Sequence, residues 1–214
     1  TFGLGRWTAT ESKGLAEDQL SKDGNHGGSI RHTSSTGSGR TASQNKAQTN
    51  RQRNANGEQV VVLTGPALEE LATEALTDAS QLKRSLAFSK MLDSLTSDNA
   101  LEIMKMMSSH GAGRDQWELF RYAWGATDPA GAMSHAMELE GRNRAGAMSQ
   151  TLTGWASQDP SSATEWFNGL EDDDEKNRFR GDLVSGLTDH DIGTATSFVL
   201  NLAAQGDKNA GRYL

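Results

Sequence analysis

Two sixteen-residue stretches of this chain share a skeleton at a distance of 31 residues. WGATDPAGAMSHAMEL runs from Trp124 to Leu139, and WASQDPSSATEWFNGL from Trp155 to Leu170. Trp, Asp-Pro, Ala and Leu keep their offsets while most letters between them change. The pattern extends in both directions. Ala100, Ala132, Ala163 and Ala195 are spaced by 32, 31 and 32 residues. The same intervals separate Met107, Leu139, Leu170 and Leu202, and also Leu92, Trp124, Trp155 and Leu187. Three columns with one period identify a helical repeat, and this constrains the fold more than any other feature of the sequence.

Each letter has a physical reason. The second half of every unit carries an i, i+3, i+4, i+7 apolar stripe, the signature of an amphipathic helix. It reads Ala100, Ile103, Met104, Met107, then Ala132, His135, Ala136, Leu139. The next two are Ala163, Trp166, Phe167, Leu170 and Ala195, Phe198, Val199, Leu202. The leading Ala is small and allows two helices to approach closely. Asp128-Pro129 and Asp159-Pro160 precede two of these helices. Asp caps the free backbone N–H groups, and Pro suits the first helical position. Asp191 holds the equivalent place without a Pro. The first helix of a unit ends on the Trp/Leu column, as in Met148, Leu152, Trp155. EGRNR, EDDDEKNR and QGDKN read as solvated turns between units. The expected fold is therefore all-α, an α-solenoid of stacked helical hairpins. Trp124, Asp128, Pro129, Ala132, Leu139, Trp155, Asp159, Pro160, Ala163, Leu170, Leu187, Ala195 and Leu202 are its structural residues.

The repeats do not fill the chain. Residues 1–57 are polar, and Ile30 is the only large aliphatic residue between Gly24 and Gly57. Such a segment cannot bury enough apolar surface to offset its ordering entropy, which predicts a disordered tail. Charge divides at the same point. Residues 1–57 hold 8 Lys/Arg against 4 Asp/Glu, and residues 58–214 hold 13 against 24. An acidic body argues against nucleic-acid binding by the repeats. Gln59 to Pro66, QVVVLTGP, reads as a short extended lead-in. Pro66 then opens a helix with Leu68, Leu71, Ala72 and Ala75 on one face. The chain contains no cysteine, which excludes disulfides and thiolate chemistry. No run of 18 apolar residues is present to span a bilayer. TFGLGRW at the start is expected to be either the trailing edge of a removed signal or anchor, the only expected route to a membrane, or an arbitrary boundary. About four units fit into 58–214. Tyr213-Leu214 falls where a fifth would begin, with no polar cap, so a C-terminally truncated array or a partner-covered end face is expected.

RSLAFSKMLDSLTSDNALEIMKMM, YAWGATDPAGAM and GWASQDPSSATEWFNGL together resemble a group of largely uncharacterised bacterial exported repeat proteins. These carry an N-terminal signal or anchor, a polar linker and W-x3-D-P-x2-A helical repeats. The resemblance covers about residues 58–214 and implies a location in the cell envelope or outside it, with the cytoplasm as the alternative. It transfers no catalytic residue. Pro lies inside the hairpin, unlike the tetratricopeptide pattern, so a tetratricopeptide-type groove is not implied.

Few residues have the character to carry chemistry. His135 replaces Ile103, Trp166 and Phe198 of the other stripes. It reads either as a partly buried, hydrogen-bonded histidine or as a polar group facing a groove between units. His135 and Trp166 are the candidate binding residues. Asp189-His190-Asp191 mimics a metal or acid–base cluster, but consecutive residues point apart. Glu171 to Glu175 lacks the ligand spacing of a calcium loop. Ser80 and Lys83 match S-x-x-K without its companion motifs. The methionines of IMKMM fit core packing better than an adaptable surface. No catalytic set, metal site or cofactor motif emerges. The expected function is a protein–protein interaction or scaffold module with another protein as partner. The alternatives are the non-catalytic part of a larger exported enzyme and a tail-mediated binder of an anionic polymer. Oligomeric state is not legible.

Overall fold

The computed structural model describes residues 51–53 and 59–213. The remainder of the polar segment, for which disorder is expected, lies outside the described residues. Among the described residues, Arg51–Arg53 (β1) pairs antiparallel with Gln59–Val61 (β2), with Arg51 opposite Val61. The lead-in is extended as expected, and its partner strand comes from residues assigned to the tail.

Nine α-helices follow among the described residues: α1 Gly65–Thr77, α2 Gln81–Asp93, α3 Ala100–Ser109, α4 Arg114–Thr127, α5 Pro129–Glu138, α6 Gly141–Gln158, α7 Pro160–Asn168, α8 Asp173–His190 and α9 Ile192–Ala204. A 3₁₀ turn at Ala210–Arg212 follows them. The fold is an α-solenoid in which α4/α5, α6/α7 and α8/α9 pack as hairpins, while in the first unit, α2/α3, both helices pack on α1. The helices α4, α6 and α8 form a row, α6 packing on α4 and α8 on α6. The second helices α5 and α7 each contact both their own first helix and the one that follows. At the N-terminal end α1 packs on α2 and touches α3.

The recurring Trp-x3-Asp spacing has a direct cause. A single Asp joins the two helices of each of the last three hairpins and caps both. Its backbone N–H closes the first helix by donating four residues back, Asp128 to Trp124 O (2.7 Å), Asp159 to Trp155 O (2.8 Å) and Asp191 to Leu187 O (2.9 Å). Its carboxylate opens the second helix, accepting from Gly131 N (3.0 Å), Ser162 N (3.1 Å) and Thr194 N (2.8 Å) respectively. One residue thus sets the corner of each hairpin. In α2/α3 the link is longer, and the buried Asn99 organises it. Its Oδ1 accepts from Thr96 N (2.8 Å), and its Nδ2 donates to Ser94 O (2.8 Å) and Leu63 O (3.0 Å).

The leading alanines Ala100, Ala132, Ala163 and Ala195 are all buried, as are Trp124 and Leu187. Trp155, Leu139, Leu170 and Leu202 are half-buried. The closest approach is made by glycines that the repeat columns do not mark. A Cβ on Gly154 would stand 2.8 Å from the Tyr122 carbonyl carbon, and one on Gly125 would stand 2.8 Å from Thr151 Cα. A Cβ on Gly186 would stand 2.7 Å from Ala156 Cβ. Backbone therefore meets backbone along the α4–α6–α8 row.

Two of the expected turns are helix. α6 begins at Gly141, inside EGRNR, and α8 begins at Asp173, inside EDDDEKNR. Asp173, Asp174 and Glu175 occupy the first turn of α8, where the positive end of the helix dipole favours carboxylates. Asp207 of QGDKN is similarly engaged, 2.8 Å from the nearly buried Arg180 guanidinium. After α9 the 3₁₀ turn buries Ala210 and brings Tyr213 against Val184 and Val199.

Candidate functional site

α4 carries Arg114, Trp117, Arg121 and Trp124 at i, i+3, i+7 and i+10, which places them along one helix face. Phe120 fills the same side and is buried. The aromatics form a ladder that ends in the next helix. Trp117 meets Phe120 edge-on at 6.0 Å, Phe120 meets Trp124 at 5.5 Å, and Trp124 stacks on His135 of α5 at 5.6 Å with 27° between the rings. A cleft of about 250 Å³ opens along this ladder. Met104 and Ser108 of α3 form one wall, and Ala147 and Thr151 of α6 another. Three successive units, through α3, α4/α5 and α6, therefore contribute to it.

Trp117, Arg121 and Leu139 also line an adjoining, more open hollow of about 580 Å³, bounded by Arg114, Glu118, Arg142 and Asn143. Its electrostatics are asymmetric. Glu118 is already engaged, accepting from Arg114 Nε at 2.8 Å. Arg121 has no carboxylate within 4 Å among the described residues. Its guanidinium lies 5.4 Å from the Trp117 ring centroid, a cation–π contact. Burial pushes the Arg121 guanidinium below its ordinary value, and Glu118 opposes this. The group stays cationic, as arginine does in proteins. Trp124 Nε1 is buried and has no hydrogen-bond acceptor among the described residues. Leaving a buried donor unpaired costs about 1–3 kcal/mol.

The two candidate binding residues fall in different surroundings. His135 lines the cleft with its side chain 28% exposed, and its Nδ1 lies 3.8 Å from Glu138 Oε2. It is partly buried against Trp124 and also lines the cleft, so it carries features of both readings. Trp166 instead is half-buried, packed between Trp155 (6.1 Å) and Phe179 (6.3 Å) against the core of the following hairpins. Asp189, His190 and Asp191 serve three separate partners. Tyr122 Oη donates to Asp189 (3.2 Å), His190 Nδ1 lies 3.0 Å from the Ser157 carbonyl, and Asp191 caps α9. Ser80 caps α2, accepting from Lys83 N. Of IMKMM, Ile103 and Met107 are core, while Met104 reaches the cleft. Among the described residues no group of three or more His, Asp or Glu is gathered as metal ligands would be.

Sequence reasoning missed the arginines. The alternation of Arg and Trp along α4 is a legible signal, since two cations and two indoles on one face match neither a pure core stripe nor a solvated face. Arg142 belongs to the next hairpin, and only the stacking of α6 on α4 brings it into the same hollow. Compared with family models, with curated proteins and with solved structures, the chain matches none, so nothing is transferred to the cleft from a relative.

Proposed function

We propose that the repeat body is a protein-interaction module and that the cleft between α4, α5 and α6 is its contact surface. The observation that carries this reading is Arg121, a half-buried cation held against Trp117 with no carboxylate within 4 Å among the described residues. Taking a charge out of water is costly unless a partner group answers it. Trp and Arg in a desolvated pocket are the residue types on which protein–protein binding energy concentrates. The surface is assembled from helices of three successive units, as expected of binding by a solenoid. The sequence resemblance to exported repeat proteins directs the search to the cell envelope.

The test is paired affinity capture from an envelope extract, with the full chain and its Trp117→Ala and Arg121→Ala variants as baits. Far-UV circular dichroism checks that all three are equally helical. A protein retained by the parent chain at moderate salt and lost by both variants supports the reading. Identical capture by all three baits, or none by any of them, contradicts it.

A further inference from the structure

Resting on that reading, we propose that the cleft takes an acidic segment of the partner, with one large apolar side chain seated against the Phe120–Trp124–His135 ladder and side-chain carboxylates on Arg121 and Arg142. The inner cleft, about 250 Å³, is smaller than the roughly 300–1,000 Å³ of a pocket that encloses a whole small ligand. It is sized for a single side chain that remains attached to something outside. The adjoining hollow decides the charge. Acids outnumber bases 24 to 13 over residues 58–214, yet the hollow is lined by Arg114, Arg121 and Arg142 against Glu118 alone. Glu118 is hydrogen-bonded to Arg114 and acts on Arg121 through space, so the hollow keeps an excess of cations. Among the described residues no carboxylate lies within 4 Å of Arg121 or Arg142, and guanidinium groups pair with carboxylates through charge-assisted hydrogen bonds. Trp117 and Arg121 line both cavities, so the apolar and anionic groups of the ligand are neighbours in its sequence. A basic or neutral segment would bury Arg121 further without a counter-charge. An extended nucleic acid would meet the acids that dominate the rest of the body.

The probe is the blocked peptide acetyl-Gly-Glu-Asp-Phe-Asp-Glu-Gly-amide, whose only charges are side-chain carboxylates. Binding to the full chain is read by titration calorimetry up to roughly 1 mM peptide, the weak end of specific affinities. Three controls replace the acids by Gln and Asn, replace Phe by Ala, or substitute a thymidylate 12-mer. The expected result is binding that weakens about tenfold or more in the uncharged peptide, in the Ala peptide, and with Arg121→Gln or Arg142→Gln. It should also fall with added salt. Equal binding of the charged and uncharged peptides overturns the acidic-segment proposal and leaves the interaction reading standing. Tighter binding of the oligonucleotide overturns it in favour of a polyanion. Binding of no probe also overturns it, and the paired capture experiment then judges the interaction reading separately.

Discussion

Alanine placed at two glycines of the same helix should change stability in opposite directions. Gly154 and Gly146 both lie in α6. Replacing a helical glycine by alanine ordinarily stabilises by about 0.5–1 kcal/mol, because the unfolded chain loses freedom. At Gly146 nothing lies within 4 Å of the added Cβ, so that gain should appear in full. At Gly154 the Cβ would stand 2.8 Å from the Tyr122 carbonyl carbon and 3.1 Å from Ala126 N, with Tyr122 O nearer still. All three are backbone atoms of α4, so no side-chain rotation relieves the clash and the helices must separate. Overpacking a well-packed site costs about 1–3 kcal/mol, and a clash with backbone belongs at the upper end. Set against the propensity gain, Gly154→Ala should lose about 2 kcal/mol net. A chain of this size shifts by about 2–4 °C per kcal/mol. Thermal unfolding followed by circular dichroism should therefore fall by about 4–8 °C for Gly154→Ala and rise by about 1–4 °C for Gly146→Ala. Equal melting of the two variants would refute backbone contact between α4 and α6, and with it the packing described here.

Other perturbations test other parts of the fold. Trp124→Ala removes a buried indole and should cost about 3–5 kcal/mol in urea denaturation, whereas the half-buried Trp155 should cost less. Hydrogen bonds from the Ser162 side chain and backbone hold the Asp159 carboxyl below its ordinary value. Its folded value being depressed, this stabilisation is complete above the usual carboxylate range near pH 4 and is lost as pH falls through the folded value. Asp159→Ala should thus cost about 1 kcal/mol at neutral pH, with the difference from the parent chain vanishing in strong acid. Asp207→Ala strands Arg180, which is only 8% exposed, and should destabilise by about 3–5 kcal/mol. Replacing Arg180 by Met and Asp207 by Leu together should cost less, since no charge is then left buried.

The legible parts of the fold were those that local chemistry repeats. The Asp at each hairpin corner must lie four residues after the Trp/Leu column, because its N–H closes one helical turn. It must lie four residues before the Ala column, because its own carbonyl accepts from that Ala N–H as the next helix begins. Both requirements act within one unit and so recur in the letters. The glycine contacts act between units. Gly154 and Gly186 share the place just before the Trp/Leu column, but Gly125 falls one residue after it, so the glycines form only a broken column although the same job is done. The acid run before α8 looked like a turn because charge density was read without the helix dipole. The cleft was half visible through His135, whose polarity broke its stripe. Arg142 was invisible as a site residue, because its place beside Arg121 depends on how α6 stacks on α4. Pairing of Arg51–Arg53 with Gln59–Val61 was missed because both strands are three residues long and one is wholly polar.

Amide hydrogen exchange along the full, unmodified chain tests the stacked-row architecture most directly. α6 lies between α4 and α8 and also touches α5 and α7, so opening it requires breaking contacts on every side. Slowest exchange marks the segment whose opening costs most. The account predicts that Thr151–Ala156 of α6 exchanges last, together with the facing turns of α4 around Gly125 and α8 around Gly186, while α9 exchanges earlier. Protection that peaks in α1 and α2, or an α6 that exchanges as fast as α9, would contradict it.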